Sequence, residues 1–155
     1  MLAILTDTIM GSDLFDYKLR DFLVKLTELL VTHQHVTHQA RYYLAKIGLA
    51  TGLTIGVFLA NIYLNQLDDY LLKCTNAMNI EIKCMKRLVD DIFLIIRKSQ
   101  LEAVVNLANS WHPSIQCELA GSGRCSIPFL DVAISIDNQN RIDFSIYRKP
   151  TATYH

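Results

Sequence analysis

From Ile47 to Leu67 the chain carries no charged residue, and so long an uncharged run has to be sheltered in a bilayer or in a protein core. A membrane helix needs about 20 apolar residues. Gly48, Gly52 and Gly56 also fall at the small-residue spacing that lets membrane helices pack closely. Against a span, Thr51, Thr54, Asn61, Asn65 and Gln66 would face hydrocarbon, and no basic cluster marks a cytoplasmic flank. The competing expectation is a glycine-bearing segment leading into a long helix from about Thr54 to Lys73. A single-span membrane protein using residues 47–67 stays open as the alternative.

The rest of the chain has the makings of a folded protein. Of 155 residues, 51% are apolar and 19% charged, enough to build a core. The formal net charge is zero, so the chain lacks the basic footprint of a free-standing nucleic-acid-binding protein. Cys74, Cys84, Cys117 and Cys125 have no CxxC spacing and read as buried intracellular thiols. Met1 to Leu5 is apolar but has no basic n-region, and Asp7 interrupts it, so no targeting segment is expected.

Periodicity divides the chain into helices and hairpins. Apolar residues at 15, 19, 22, 23, 26, 29 and 30 predict an amphipathic helix over Leu14 to His33, with Ser12 and Asp13 placed to cap it. Gln34 to Gln39 reads as a polar loop and Arg41 to Ala45 as a short strand. Ile80 to Val89 and Ile92 to Arg97 are strand-like runs separated only by Asp90-Asp91, which predicts a tight hairpin. Ser99 and Glu102 form a capping-box pattern ahead of a helix that stops at His112-Pro113. Strands are expected at Ile115 to Leu119 and Phe129 to Ile136. A second hairpin follows, in which Asp137 to Asn140 turn the chain into the alternating Ile142, Phe144 and Ile146. Helices interspersed with hairpins, rather than strict βαβ alternation, make this an α+β chain with helices on one face of an antiparallel sheet.

The chemistry concentrates at Asp90-Asp91, whose flanks are almost wholly apolar and whose turn has no Gly or Asn. Two like charges about 4 Å apart repel by roughly 4 kcal/mol at an effective dielectric near 20. Protonation of one carboxylate relieves the conflict, and so does a divalent cation. Mg²⁺ takes one or two carboxylates together with water and substrate phosphates, and a pair of such ions serves in-line phosphoryl displacement. An ordinary hairpin turn bearing two aspartates is the plain alternative. His33, His35 and His38 have loose ligand spacing and read as a solvated loop rather than a zinc site. Asp68-Asp69 reads as surface charge on the long helix, and Asp131 as structural.

Arg87-Leu88-Val89-Asp90-Asp91-Ile92-Phe93 resembles motif C of reverse transcriptases. The run from Gly48 through Thr51-Gly52 and Gly56 to Ala60-Asn61-Ile62-Tyr63 is similar to their motif B. Leu107 to Ile115, Pro128-Phe129-Leu130-Asp131-Val132 and Tyr147-Arg148-Lys149-Pro150-Thr151 follow in the order found in Penelope-like retroelement reverse transcriptases, so the resemblance runs from about Arg41 to Thr153. It departs from the pattern where Leu88 stands in place of Tyr, Thr54 and Val57 in place of prolines, and Gly56 in place of Ser. Asp7 is the one position available for the motif A aspartate, and it lacks the aromatic turn that follows there.

The resemblance implies a partial polymerase palm over residues 1–155, with fingers, thumb and any endonuclease domain outside it. Asp90 and Asp91 would be catalytic and hold two Mg²⁺ ions. Thr51 and Gly52 would line the nucleotide and template path, and Arg148 and Lys149 would meet the primer backbone. The implied partners are an RNA template, a DNA primer and deoxynucleotides, with no membrane. The implied location is nuclear or cytoplasmic. The implied reaction is RNA-directed DNA synthesis by the intact protein, and this chain is not expected to polymerise alone. An inactive palm, domesticated or decayed, is the rival within the family.

Overall fold

The computed structural model describes residues 1–46, 48–50, 52–123 and 126–149. The fold is α+β, built of helices and three small antiparallel sheets. It forms two compact units, Met1–Gln66 and Leu67–His155.

The first unit begins with α1 (Leu2–Met10), a helix where the sequence reading assigned no element. Its Leu5 is fully buried. The amphipathic helix is present as α2 (Tyr17–Thr32), shorter at its start than predicted. The cap is Asp16 rather than Ser12 or Asp13: its carboxylate accepts the Leu19 N–H at 2.8 Å, satisfying one of the orphan donors of the first turn. Arg20 donates to the carbonyls of Phe15 and Met10, which ties down the α1–α2 connection.

The segment expected as a polar loop is a strand instead. β1 (His35–His38) pairs antiparallel with β2 (Arg41–Leu44) across a two-residue turn. Both turn residues, Gln39 at φ 48 and Ala40 at φ 59, are left-handed, the backbone a type I′ turn requires. The polar sequence hid the strand because all four residues of β1 are exposed, so no apolar face had to alternate. Residues 48–50 and 52–55 are non-helical, and α3 (Gly56–Ala77) follows. The described part of the uncharged run is thus split between non-helical residues and a helix that goes on to carry Asp68, Asp69 and Lys73. Among the described residues no helix is long and apolar enough to cross a membrane.

The boundary between the units falls inside α3. In the second unit Leu67, Leu71 and Thr75 are buried one turn apart, a slanted stripe of the sort that seats a helix on a core. The Thr75 hydroxyl donates to the Leu71 carbonyl at 2.7 Å, so its burial leaves no orphan. β3 (Cys84–Leu88) and β4 (Asp91–Ile95) form a two-stranded hairpin; Ile80 to Lys83 stay outside it.

A 3-10 turn at Lys98–Gln100 leads into α4 (Leu101–Ser110), which buries Val104 and Ala108. Each buried Leu or Val contributes about 1.5–3 kcal/mol. The capping box does not form, because neither helical N-cap here accepts a side-chain bond and Ser99 lies within the 3-10 turn.

Two predicted strands are redrawn. Phe129 to Ile136 is a hairpin, β5 (Ile127–Phe129) and β6 (Val132–Ile136), turning at Leu130-Asp131. β7 (Ile142–Ile146) completes a three-stranded sheet, and the turn after Ile136 is where the sequence put it. Ile115 to Leu119 forms no strand and joins none of the described sheets. The Asn109 carboxamide takes its place, accepting the Cys117 N–H at 2.6 Å and donating to the Cys117 carbonyl at 3.1 Å. With that segment bonded to a helix and every strand five residues or fewer, the expected single sheet is divided into three.

Candidate functional site: the carboxylate hairpin

The β3–β4 register runs from Cys84 opposite Ile95 to Leu88 opposite Asp91. The two turn residues are therefore Val89 and Asp90, not Asp90 and Asp91, and Asp91 is the first residue of β4. This one-residue offset separates the roles of the carboxylates. Asp90 sits on the turn, and Asp91 sits in the strand, where alternation puts it on the face of Phe93 and Ile95. The Phe93 ring lies 5.5 Å from that of Phe129 on β5, so this face looks toward the three-stranded sheet. Both carboxylates are exposed despite their apolar neighbours in sequence, because the tip carries them beyond the packed part of the hairpin.

Val89 has φ 53. A β-branched residue rarely adopts the left-handed region, and the conformation costs roughly 1–2 kcal/mol for an L-residue. It is braced from below. Arg87 donates from Nη1 to the Val89 carbonyl at 3.2 Å. The same guanidinium grips Asp68 of α3, with Nε 3.0 Å from each carboxylate oxygen and Nη2 2.8 Å from Oδ2. The Arg87 side chain is 6% exposed and that of Asp68 25%. Asp68 is thus one half of a largely buried ion pair, which corrects its reading as surface charge; Asp69 is exposed. The signal in the sequence was an arginine alternating with Met85 in a strand-forming run, which has to find a carboxylate once that face is covered.

An open cleft of about 750 Å³ lies between this hairpin, α4 and the β5–β6–β7 sheet. Asp90, Asp91 and Glu118 line it together with Lys98 and Lys149, and Leu101, Val104, Ile134 and Ile142 form its apolar walls. Lys149, expected at the primer, therefore shares a cleft with the aspartates. Arg148 is exposed and is not among the lining residues. Tyr147 anchors the start of this segment by donating its N–H to the Asp131 carbonyl at 2.8 Å.

Thr51 lies outside the described residues, as do Pro150 to Thr153 and Cys125. Gly52 belongs to the first unit. Its φ of 95 and the φ of 83 at Gly48 call for glycine, although a Cβ at either would meet nothing within 4 Å. The loop they shape is held by Gln34, a buried side chain that the sequence reading placed only in a polar loop. Its carboxamide donates to the Val31 and Gly48 carbonyls and accepts the Ala50 N–H.

Asp7 lies within α1, and among the described residues no group of three or more His, Cys, Asp or Glu side chains is placed to hold a metal ion. His35 and His38 stand at the two ends of β1. The donors at the hairpin tip are two hard, solvent-facing carboxylates, a set that fits Mg²⁺ when water and phosphate oxygens complete its shell. Cys74, Cys84 and Cys117 are free thiols, half-buried rather than buried. Burial pushes the Cys117 thiol above its usual value.

No family model, no curated protein and no solved structure matches this chain.

Proposed function

We propose that the chain is part of the palm of a reverse transcriptase, resembling those of Penelope-like retroelements, and that Asp90 and Asp91 hold the cations for nucleotidyl transfer. The observation that carries this reading is a paired carboxylate at the tip of an antiparallel hairpin, opening on a cleft that Lys149 also lines. The ordered sequence resemblances from Gly48 to Lys149 support it independently. Bound Mg²⁺ would supply charge neutralisation at the reacting phosphate and lower the pKa of the attacking primer hydroxyl.

The residues of the chain have separable tasks in this scheme. Asp90 and Asp91 bind the cations from different positions, one on the turn and one on the strand. Lys149 draws a primer or template phosphate toward the cleft. Thr51 and Gly52 line the nucleotide and template path, beside the Gly48 and Ala50 backbone that Gln34 holds. Polymerisation belongs to an intact protein with RNA template, DNA primer and deoxynucleotides, acting in the nucleus or cytoplasm.

The placement of Asp7 in a helix and the two-carboxylate tip favour one rival, a palm retained without catalysis. Asp90→Asn separates the two readings. In the intact protein it should abolish Mg²⁺-dependent primer extension, a loss of three orders of magnitude or more for a group acting on the transition state. Retained extension removes the metal assignment, and an intact protein inactive even with both aspartates present establishes the non-catalytic palm.

A further inference from the structure

Two facts about the hairpin tip call for a common cause: Val89 holds a left-handed backbone that its side chain disfavours, and the arginine two residues earlier is buried without facing the carboxylates. Arg87 lies opposite Ile92 in the register, and Asp91 lies opposite Leu88. Alternation therefore puts Arg87 and Asp91 on opposite faces of the hairpin. A guanidinium on the far face is poorly placed as a direct counter-charge for the aspartates, but it reaches the Val89 carbonyl, the backbone atom immediately before Asp90.

We infer that Arg87, anchored by Asp68, is the positioning residue of the carboxylate tip: it holds Val89 in its left-handed conformation and so sets the spacing at which Asp90 and Asp91 take a divalent cation. The inference rests on reading those aspartates as cation ligands. The planar fork divides its donors, with Nε and Nη2 on Asp68 and Nη1 on Val89, a division that a lysine ammonium cannot reproduce in the same plane. Asp68 has a second effect. It cancels the positive charge that would otherwise lie one residue behind the cation site and oppose binding. Outer partners that orient metal ligands commonly change affinity by about 10–100-fold when removed.

The test uses the 155-residue chain with Mn²⁺ as the probe, read by loss of the free-ion paramagnetic resonance signal, and with the Val89 HN–Hα coupling read by NMR. Arg87→Lys is expected to weaken Mn²⁺ binding about tenfold and to move the Val89 coupling toward the extended-chain value, while the chain still melts cooperatively. If Arg87→Lys fails to fold, Asp68→Asn is read in its place and is expected to lower affinity several-fold. A folded variant with wild-type Mn²⁺ affinity and an unchanged coupling overturns the inference. A purely structural role would lower the melting temperature and leave the coupling and affinity of the folded fraction untouched, which also overturns it. Asp90→Asn is the control for the underlying reading. Should the parent chain and Asp90→Asn take up Mn²⁺ alike, the metal site itself is lost, and this is distinguished from failure of Arg87 alone by the coupling measurement.

Discussion

Two hairpins in the second unit turn in the same way and end in different chemistry. β3–β4 turns through Val89-Asp90 and β5–β6 through Leu130-Asp131, each with a two-residue connection. Each puts a non-glycine residue in the left-handed region, at φ 53 and φ 58. The residue that opens the next strand is Asp91 in one and Val132 in the other. The restraints differ as well. Asp131 accepts the N–H of Tyr147, at the end of the neighbouring strand β7. Among the described residues the β3–β4 pair has no third strand, and an isolated two-stranded hairpin is marginal in water; Arg87 and Asp68 supply the tie from within and from α3. The turn is thus a general device of this chain. What sets one tip apart is a second carboxylate in a strand position, held by a side chain rather than by a sheet.

The comparison breaks most sharply if one tip is made to copy the other. Asp91→Val gives β4 the opening residue of β6, and Mn²⁺ binding by the chain is expected to fall below detection, a loss of at least a hundredfold when one of two ligating carboxylates goes. Titration of the purified variant checks this, and full retention would mean that Asp90 or another group carries the ion. A smaller effect should be common to both tips. Asn tolerates the left-handed region better than Val or Leu, so Val89→Asn and Leu130→Asn should each stabilise the chain by about 1 kcal/mol. Chemical denaturation reads the difference, and a gain at Leu130 alone would mean that Val89 is held by packing as well as by its backbone.

The smallest effect concerns the shared cleft. Burial raises the Cys117 thiol in the fold above its ordinary value of 9.0. Stability from this group is therefore fully present below pH 9 and is lost as pH rises through the higher folded value. Alkylation of the native chain at pH 8 should be slower at Cys117 than in a short peptide, and Cys117→Ala should flatten the alkaline fall in stability. Equal alkylation rates would place the thiol in open solvent.

Much of the hairpin architecture was legible because its signals are local. Apolar alternation from Val132 to Ile136 and from Ile142 to Ile146 sits on either side of a polar turn, and the β7 strand and its turn are found where that pattern puts them. β1 escaped because an exposed strand has no alternation to display, and α1 because a nine-residue helix is too short for its apolar period to stand out. The turn of the β3–β4 hairpin was misread by one residue. Its left-handed position falls on Val89, and a valine gives no hint of such a backbone in sequence. Arg87–Asp68 was missed for a different reason: the two residues are 19 positions apart, on a helix and a strand, and periodicity carries no record of which buried charge meets which.

By itself the sequence determined the class of the fold, the existence of the helices α2, α3 and α4, and the adjacency of two aspartates beside a strand-forming run, because each depends on residues within a few positions of one another. Only the tertiary structure decided that the antiparallel strands would be divided among three sheets, that Asp90 and Asp91 would occupy a turn and a strand rather than the two turn positions, and that Asp68 would pair with Arg87. Those outcomes turn on which buried donor finds which acceptor. The cost of leaving a buried charge or a backbone amide unpaired is met across space, between segments that sequence distance keeps apart.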